Sequence, residues 1–456
     1  MRIVNPATDE TLADLVDDAP EAITAKLERA RAAQPGWAAL PLDRRIEAIR
    51  RFRQLVEART DELARTTTTE MGKPITQSKN ELRGLLGRID FFVSAIAREL
   101  ADEIVHEEPG LQERISHEPL GVVLNVSAWN YPYFVGGNAF LPALLAGNAV
   151  VYKPSEFSTL TGLGLARALH DAGVPEDVFV PVVGGPDAGR RLVEEPFDAV
   201  LFTGSHATGR RIAEARGKFL SRLGLELGGK DPAYVAADAD PAHAAAALAD
   251  GAFYNAGQSC CAVERIYVAR ELWQPFTDAF LRGVAGFVVG DPLDERTYIG
   301  PLARREAALL VLEQQVADAI SRGARVATGG KRLERQGSFF APTVLVDVDH
   351  SMAVMKDESF GPIIGLQPVD SDDEATALMQ DTEYGLTAAV YSRDRGRAER
   401  ILAKLDVGSA YWNCCDRVSP RLPWSGRRHS GLGCTLSSYG VEAFLRPKAW
   451  HFREPE

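Results

Sequence analysis

Short apolar, β-branched runs alternate with helical segments between residues 121 and 205, and this alternation constrains the fold more than any other feature. The runs are "GVVLNVSAW" (121–129), "AVVYKPSE" (149–156), "VFVPVVGG" (178–185) and "AVLFTGS" (199–205). Strands that alternate with helices favour a parallel sheet covered by helices on both faces. A second region of this texture begins near residue 226 and reaches about residue 430. We therefore expect an α/β protein with two such units.

Two further regions do not follow this alternation. Residues 20–100 show helical spacing of apolar residues, as in Ile46, Ile49, Phe52 and Val56. The segments 111–121 and 444–452 are expected to form strands outside either sheet.

Composition and charge narrow the class of protein. The chain has 456 residues, of which 45% are hydrophobic and 25% charged, which is typical of a globular enzyme of about three folding units. The net charge of −12 disfavours nucleic acid as a partner. No apolar run approaches the roughly 18 residues of a membrane span, and the N-terminus does not resemble a secretory signal.

The cysteines indicate a reducing compartment and no structural metal. The five cysteines are odd in number; Cys260 and Cys261 form one adjacent pair, Cys414 and Cys415 form another, and Cys434 stands alone. Adjacent cysteines are poor disulfide partners, so we expect a cytoplasmic protein. The spacing offers no CxxC pair for zinc, and no metal is expected.

Polar or glycine-rich motifs follow each of the four strands in the first unit. Ligands of such sheets bind at the carboxyl ends of the strands, so the clustering predicts a binding site there. The motifs are Trp129-Asn130, Lys153-Pro154-Ser155-Glu156, Gly184-Gly185 and Thr203-Gly204-Ser205.

The stretch "FTGSHATGRRIAEA" (202–215) is a glycine-rich turn from strand to helix. Gly204 and Gly209 would let the backbone approach phosphates at a helix N-terminus. Arg210-Arg211 stand where a P-loop needs Lys-Ser/Thr, and the standard G-x-G-x-x-G is absent. The pattern is compatible with a turn that binds a mononucleotide or with a non-standard turn that binds a dinucleotide.

Two further motifs fit the sugars of a dinucleotide. Lys153 and Glu156 can hold the hydroxyls of an adenosine ribose, and Glu156 would repel a 2′-phosphate, which favours NAD over NADP. In "KDESFGPI" (356–363), Glu358 suits a second ribose and Phe360 suits a flat ring. A surface ion pair and an ordinary loop with a buried phenylalanine are the respective alternatives.

Adjacent cysteines, Cys260 and Cys261, follow a Gly-Gln-Ser turn in "NAGQSCCAVER" (255–265). A nucleophilic cysteine needs a polar, partly open setting. Gly257 frees the backbone, and N–H groups around Cys260 can face an anion. The alternative is a buried thiol that only fills space in the core. The turn alone leaves both interpretations open.

Two polar side chains are candidates to assist such a nucleophile. Glu226 in "LELGGKDP" (225–232) has apolar neighbours, and desolvation would raise the pKa of a general base there. A surface pair with Lys230 is the alternative. Asn130 in "SAWNYPY" (127–133) can donate a hydrogen bond to an oxyanion, or can simply begin a turn.

Six motifs taken in order resemble signatures of the aldehyde dehydrogenase superfamily: "WNYP", "KPSE", "FTGS", "ELGGK", "GQSC" and "ESFGPI". The resemblance runs from "NPATDE" at residue 5 to "KAW" at residue 450, which is nearly the whole chain. It implies a Rossmann-like cofactor domain, an α/β catalytic domain and a small β oligomerisation element.

The resemblance also implies a role for each matching residue. Cys260 would be the nucleophile, Glu226 the general base of hydrolysis and Asn130 the oxyanion donor. The expected cofactor is NAD, with NADP possible. Its expected contacts are Lys153, Glu156, Gly204, Ser205, Glu358 and Phe360. The implied reaction is oxidation of an aldehyde to a carboxylic acid through a thiohemiacetal and a thioester on Cys260.

The expected substrate pocket is rich in aromatic residues, which favours apolar or aromatic aldehydes. Its expected lining is Tyr131, Tyr254, Ser259, Cys261 and Trp424. The C-terminal motif "PWSGRRHSGLG" (423–433) departs from the family pattern. Arg427 and Arg428 in it either anchor the acidic group of a semialdehyde, which is the alternative substrate, or have a solvated or interface role. A CoA-acylating enzyme is the less favoured alternative, because such relatives commonly lack the glutamate.

The resemblance divides the chain into three parts. Residues 1–98 and 122–227 are expected to bind NAD, and residues 228–430 to form the catalytic domain. Residues 99–121 and 431–456 are expected to form the oligomerisation element of a homodimer or homotetramer. The expected partner is a small-molecule aldehyde, with no nucleic acid and no membrane.

Overall fold

A computed structural model describes residues 1–455 of the chain. The strands are β1 Arg2–Val4, β2 Thr11–Asp14, β3 Glu103–Glu108, β4 Leu111–Pro119, β5 Val122–Val126, β6 Ala149–Lys153, β7 Phe179–Pro181, β8 Ala199–Thr203, β9 Arg222–Glu226, β10 Asp231–Val235, β11 Val263–Ala269, β12 Arg325–Thr328, β13 Thr343–Val346, β14 Ile363–Val369, β15 Tyr384–Gly385, β16 Thr387–Tyr391, β17 Ser409–Trp412, β18 Arg427–Arg428, β19 Gly431–Leu432 and β20 Leu445–Arg453.

The helices lie between these strands and before them. They are α1 Pro20–Ala38, α2 Leu42–Ala58, α3 Thr60–Met71, α4 Ile75–Glu99, α5 Pro132–Leu145, α6 Thr159–Asp171, α7 Pro186–Val193, α8 His206–Arg216, α9 Pro241–Phe253, α10 Trp273–Ala285, α11 Glu306–Ser321, α12 Ala353–Lys356, α13 Asp372–Gln380, α14 Arg395–Leu402 and α15 Ser437–Glu442. Short 3-10 helices span Tyr254–Gly257 and Arg270–Leu272.

The first unit is built on a six-stranded sheet with the order β19-β9-β8-β5-β6-β7. All neighbours are parallel except β19, which pairs antiparallel with β9. The central strand β5 is in register with β6 through Val123 and Val150, and with β8 through Val123 and Ala199. The chain leaves β5 in one direction towards β7 and later returns on its other side, which creates a crevice at the carboxyl ends of β5 and β8.

Helices cover both faces of this sheet, as expected for strands that are apolar throughout. One face packs against α2, α4, α5 and α6 around a core that includes Phe52, Phe92 and Phe140. The other face packs against α1, α7 and α8 around Ile23, Leu192 and Ile212. The expected doubly wound parallel sheet is confirmed.

The second unit is built on a seven-stranded sheet with the order β12-β13-β14-β11-β10-β16-β17. Its strands are parallel except for β12 at one edge. Its separate core includes Phe253, Phe276 and Phe280. The α/β fold class predicted from the sequence is therefore confirmed for both units.

A third, antiparallel sheet has the order β20-β4-β3 and lies outside the other two. Strands β4 and β20 pair along nine residues, from Pro119 with Leu445 to Leu111 with Arg453. The apolar side chains of Ile104, Val105 and Phe452 on this sheet are exposed. The 111–121 and 444–452 segments thus form strands outside the main sheets, as predicted.

The C-terminal segment contributes to more than one of these units. Gly431 and Leu432 pair with Glu226 and Leu225 in the first sheet, before the chain reaches β20. The predicted oligomerisation segment of 431–456 therefore begins with residues that extend the first sheet. Within residues 1–455, no helix is long and apolar enough to cross a membrane.

Candidate active site

A cavity of about 760 Å³ opens at the carboxyl ends of β5, β6 and β8 and is closed on its far side by loops of the second unit. It brings together residues from both units that are far apart in sequence. Nine of the residues predicted from the sequence line it: Asn130, Lys153, Glu156, Gly204, Ser205, Glu226, Cys260, Glu358 and Phe360.

Ser205 caps the helix that points its N-terminus at this cavity. The Ser205 side chain accepts a hydrogen bond from the Thr208 N–H and begins α8. The N-terminus of a helix carries unpaired N–H groups and a partial positive charge, which suits a phosphate. Gly204 and Ser205 therefore stand where the pyrophosphate of a dinucleotide fits.

Lys153 and Glu156 lie on the cavity wall after β6. Lys153 is buried, its ammonium donates to the Pro154 carbonyl at 3.1 Å, and burial lowers its pKa. Glu156 is half-buried and accepts from the Ser155 hydroxyl at 3.1 Å. The two side chains form no salt bridge with each other within residues 1–455, so the surface ion pair is not the arrangement found.

Glu358 and Phe360 approach from the second unit. Burial raises the pKa of Glu358 to about 8. Its carboxylate accepts from the Gly229 N–H at 3.2 Å and lies so close to Gly228 that a Cβ there would collide with it. The Phe360 ring contacts Trp129 edge to face, with 5.4 Å between centroids.

A buried ion pair that sequence reasoning missed holds this loop. The Lys230 ammonium lies 2.6 Å from Glu264, and Glu264 accepts from the N–H groups of Ser359 and Phe360 at 2.8 and 3.0 Å. Lys230 is therefore occupied by Glu264, and the proposed surface pair between Glu226 and Lys230 does not form. Glu264 carries no local motif in the sequence that would have identified it.

The loop that carries Cys260 is tightly constrained. Asn255 and Ala256 both adopt left-handed backbone angles, with φ of 54° and 55°, ahead of Gly257. A Cβ on Gly229 would lie 2.8 Å from the Cys260 carbonyl oxygen, so a glycine is needed where the two loops meet. Cys260 is half-buried and lines the cavity.

Cys261 has the opposite environment. Its thiol is buried and donates to the Asp416 carboxylate at 3.0 Å. The hydrogen bond with Cys260 and burial raise the pKa of Cys261 well above its usual value. A thiol that remains protonated is a poor nucleophile, so the geometry favours Cys260 over its neighbour.

Asn130 is fixed against the loop that precedes Cys260. Its side-chain amide donates to the Gln258 carbonyl at 3.1 Å, and its own carbonyl accepts from the Asn255 amide at 3.2 Å. An amide nitrogen carries two hydrogens, so a second one is left to donate. Asn130 is thus a pre-positioned donor beside Cys260.

Glu226 ends β9 and is held on both sides by the sheet, opposite Thr203 and Gly431. Burial raises the pKa of its carboxyl to about 8, and the hydroxyl of Thr435, which donates to Oε1 at 3.0 Å, opposes that rise. Such a pKa suits a base that must exchange a proton near neutral pH.

A smaller cavity of about 40 Å³ adjoins the first and shares Glu226 and Cys260 with it. Trp424 lines it together with Val135, Asn138 and Thr435. Of the five predicted pocket residues, only Trp424 is among the lining residues of these two cavities in the described part of the chain.

The other four predicted pocket residues lie nearby in a packed cluster. Tyr131 stacks on Phe134 at 5.8 Å and carries the Lys73 ammonium 3.8 Å from its ring centroid. Tyr254 accepts from Asn80 at 3.2 Å, and Ser259 lies 3.6 Å from the Cys261 sulfur.

Arg427 and Arg428, the suggested anchors for an acidic substrate, are exposed and are paired with a carboxylate outside the cavities. Both pair with Asp406 at 3.1 Å, and Arg428 also donates to the Thr382 carbonyl. Neither lines either of the two cavities described above. Their strand β18 pairs with β15, which explains this orientation.

Comparison with known proteins identifies the family. The Aldehyde dehydrogenase family matches residues 1–450. A succinate-semialdehyde dehydrogenase [NADP(+)] of Deinococcus radiodurans is 36% identical, covering 98% of this chain and 93% of the relative.

Two solved structures are similar over the whole chain. Lactaldehyde dehydrogenase from Escherichia coli has a TM-score of 0.96 at 32% identity, covering 100% of this chain and 96% of that one. Betaine aldehyde dehydrogenase from Staphylococcus aureus, solved with NAD+, has a TM-score of 0.96 at 29% identity, covering 100% and 92%. This chain belongs to the aldehyde dehydrogenase family, whose members are NAD(P)-dependent enzymes that oxidise aldehydes.

Proposed function

We propose that this enzyme converts its aldehyde to a carboxylic acid with Cys260 as nucleophile, Asn130 as oxyanion donor and Glu226 as general base. The observation that carries the proposal is the junction of two cavities. Cys260 and Glu226 line both the larger cavity, which suits a dinucleotide, and the smaller one next to Trp424. A substrate carbonyl at this junction would contact all the groups that the reaction needs.

The residues present fit a nicotinamide dinucleotide. The cavity is large enough for a ligand of that size, the N-terminus of α8 suits the pyrophosphate, and glycine at position 228 keeps room beside Glu358. Lys153 and Glu156 would hold the adenosine ribose and Glu358 the second ribose. When bound, the nicotinamide supplies the acceptor for the hydride that the aldehyde carbon loses.

In the first half of the reaction, the Cys260 sulfur bonds to the carbonyl carbon, and the carbonyl oxygen gains the electron pair. The Asn130 amide and the backbone N–H of Cys260 are the donors available to stabilise this oxyanion, a contribution worth about 10² to 10³ in rate for each donor. Oxidation of the carbon then leaves a thioester on Cys260.

In the second half, Glu226 takes a proton from water. The water oxygen bonds to the thioester carbon, the carbon–sulfur bond breaks, and the carboxylic acid leaves with Cys260 restored as a thiolate. Glu226 then loses its proton to solvent. A base that is already buried beside the nucleophile favours hydrolysis by water over transfer of the acyl group to CoA.

We expect NAD to be preferred over NADP, because the Glu156 carboxylate faces the ribose position and would repel a 2′-phosphate. The replacement Glu156→Gln removes this repulsion. It should raise kcat/KM for NADP about tenfold, since two like charges at close range near a surface cost about 1–4 kcal/mol. Steady-state kinetics with both cofactors measure the ratio. A wild-type preference for NADP would contradict the proposed role of Glu156. The Deinococcus relative is named as an NADP(+) enzyme, so the comparison does not already favour NAD.

The favoured substrates are apolar or aromatic aldehydes. The apolar part of the lining of the small cavity beside Cys260 is formed by Trp424, Val135, Ala139, Leu201, Phe202 and Leu227, and the polar part includes Asn125, Asn138, Thr203 and Thr435. Aromatic residues Tyr131 and Tyr254 lie in the neighbouring cluster. Such walls stabilise an apolar side chain by burial, at about 25 cal/mol per Å² of apolar surface.

A semialdehyde is the second candidate, and the name of the Deinococcus relative favours it. Arg427 and Arg428 are poor anchors for its carboxylate because both are paired with Asp406. Arg88 is a better candidate. Its guanidinium is buried and donates to Asn138, which lines the small cavity.

A panel of aldehydes mixed with enzyme and NAD⁺, without CoA, tests the proposed function. We expect NADH and free acid to form together, with benzaldehyde and hexanal giving a kcat/KM at least about tenfold above succinic semialdehyde, the effect of one or two methylene-sized contacts. A higher kcat/KM for succinic semialdehyde than for benzaldehyde and hexanal would establish the semialdehyde hypothesis. Activity that depends strictly on added CoA would overturn the hydrolytic mechanism.

Assembly and location are proposed on separate grounds. The exposed apolar residues Ile104, Val105 and Phe452 on the β20-β4-β3 sheet support its use as the interface of a homodimer or homotetramer. The proposed domains are 1–98 with 122–227 for the cofactor, 228–430 for catalysis, and 99–121 with 431–456 for assembly. Five free thiols, one of them the proposed nucleophile, support a reducing compartment such as the cytoplasm.

A further inference from the structure

The carboxylate of Glu226 has two unequal oxygens. Oε1 accepts the Thr435 hydroxyl at 3.0 Å, whereas Oε2 is buried and has no hydrogen-bond partner among residues 1–455. The burial is deep, and a buried carboxylate with a single donor is costly, because its charge is desolvated and one oxygen has no partner. The one hydroxyl that contacts it therefore has a large influence on its orientation and its charge.

Thr435 is itself rigidly placed. Its backbone exchanges two hydrogen bonds with Trp424, at 2.7 and 2.8 Å, and its side chain is buried. Glu226 is just as constrained, since its backbone pairs with Gly431 on the same C-terminal segment. The hydroxyl is held by the backbone pairing of Thr435 with Trp424, and the carboxylate by the pairing of Glu226 with Gly431, four residues before Thr435, so both are fixed by the same C-terminal segment.

We propose that Thr435 is a positioning residue that orients Glu226, so that Oε2 is the atom that receives the proton from the hydrolytic water. The inference rests on the proposed function and deepens it. The hydroxyl donates a stronger hydrogen bond to the ionised carboxylate than to the neutral acid, so its contact favours the basic form of Glu226. It also occupies Oε1, which leaves the second oxygen as the acceptor for water.

Other titratable groups near Glu226 do not replace this contact. Burial raises the pKa of the Cys434 thiol to about 11, so it stays neutral through the working range of the base. Lys230 is held by Glu264. Cys260 lines the same cavities and is the group on which the acyl intermediate would form.

The test uses p-nitrophenyl acetate, which acylates a nucleophilic thiol without any cofactor. The initial burst of p-nitrophenolate reports acylation of Cys260, and the steady rate that follows reports deacylation. In Thr435→Val the burst should be unchanged, while the steady rate at pH 7 should fall about tenfold, the loss expected for one hydrogen bond to a charged group. The pH profile of the steady rate should shift to the alkaline side, and Thr435→Ser should restore it.

A purely structural role for Thr435 would lower the burst and the steady rate together and leave the pH profile in place, and that result would overturn the proposal. So would a Thr435→Val profile equal to that of the wild type. If the valine variant does not fold, Thr435→Ala removes the hydroxyl without a new branch and takes its place. The proposed function fails separately, if the wild type itself shows neither a burst nor NADH formation from any aldehyde.

Discussion

Replacement of Cys260 by alanine is expected to abolish NADH formation and the p-nitrophenolate burst, with a loss of at least about 10⁴ in kcat. Without the sulfur, no thiohemiacetal and no thioester can form. Binding of NAD should survive, because the ribose and pyrophosphate contacts come from other loops around the cavity. Stopped-flow absorbance measures the formation of NADH and of p-nitrophenolate. Fluorescence titration with NAD measures whether cofactor binding is retained.

Cys261→Ser is the matched control. Cys261 donates to Asp416, and a serine hydroxyl keeps a donor for that buried carboxylate while it removes the thiol. This variant should retain activity within a few fold of the wild type. If Cys260→Ala kept near wild-type turnover while Cys261→Ser lost it, the assignment of the nucleophile would have to be reversed.

The second large effect is expected from Glu226→Gln. The amide keeps the shape of the side chain but cannot accept a proton from water, so hydrolysis of the thioester should slow about 10² to 10⁴-fold. The burst should remain at one equivalent per active site, because acylation does not use this base. Pre-steady-state NADH formation followed by a slow steady phase would show the same separation with an aldehyde.

The rate of deacylation should depend on pH through the ionisation of Glu226. Glu226 acts only as the carboxylate, and burial raises its pKa to about 8. Below that value the ionised fraction falls about tenfold per pH unit, so wild-type deacylation should rise with pH up to about 8 and then level off. Glu226→Gln should be flat over the same range. A wild-type profile that levels off near pH 5 would place the working base elsewhere.

Asp416 and Thr435 were not predicted from the sequence because neither belongs to one of the six motifs. Asp416 directly follows the cysteine pair Cys414 and Cys415 in the stretch "NCCD". Burial raises its pKa to about 6, and its side chain contacts Cys261 from 155 residues away along the chain. The available signal was a carboxylate directly after two adjacent cysteines.

The structure also bears on the two alternatives for Arg427 and Arg428, an anchor for an acidic substrate or a solvated or interface role. Two cations near a pocket signature suggested an anchor for an acidic substrate, but β18 turns them outward against Asp406. A sequence shows that charges are present and does not show which of them are already neutralised. For Lys230, the alternative partner considered was Glu226, whereas the structure pairs it with Glu264, which lies 34 residues away on a neighbouring strand.

The sequence by itself determined the α/β class, four of the six strands of the first sheet and the motifs at their carboxyl ends. Those features are local, since strand periodicity and turn residues act over a few positions. The tertiary structure alone decided which groups meet: that Cys260 and Glu226 share two cavities, that the Thr435 hydroxyl donates to Glu226, and that the buried Cys261 thiol donates to Asp416. The physical reason is that burial and hydrogen bonding, which set the pKa of each group, depend on neighbours that only the folded chain brings into contact.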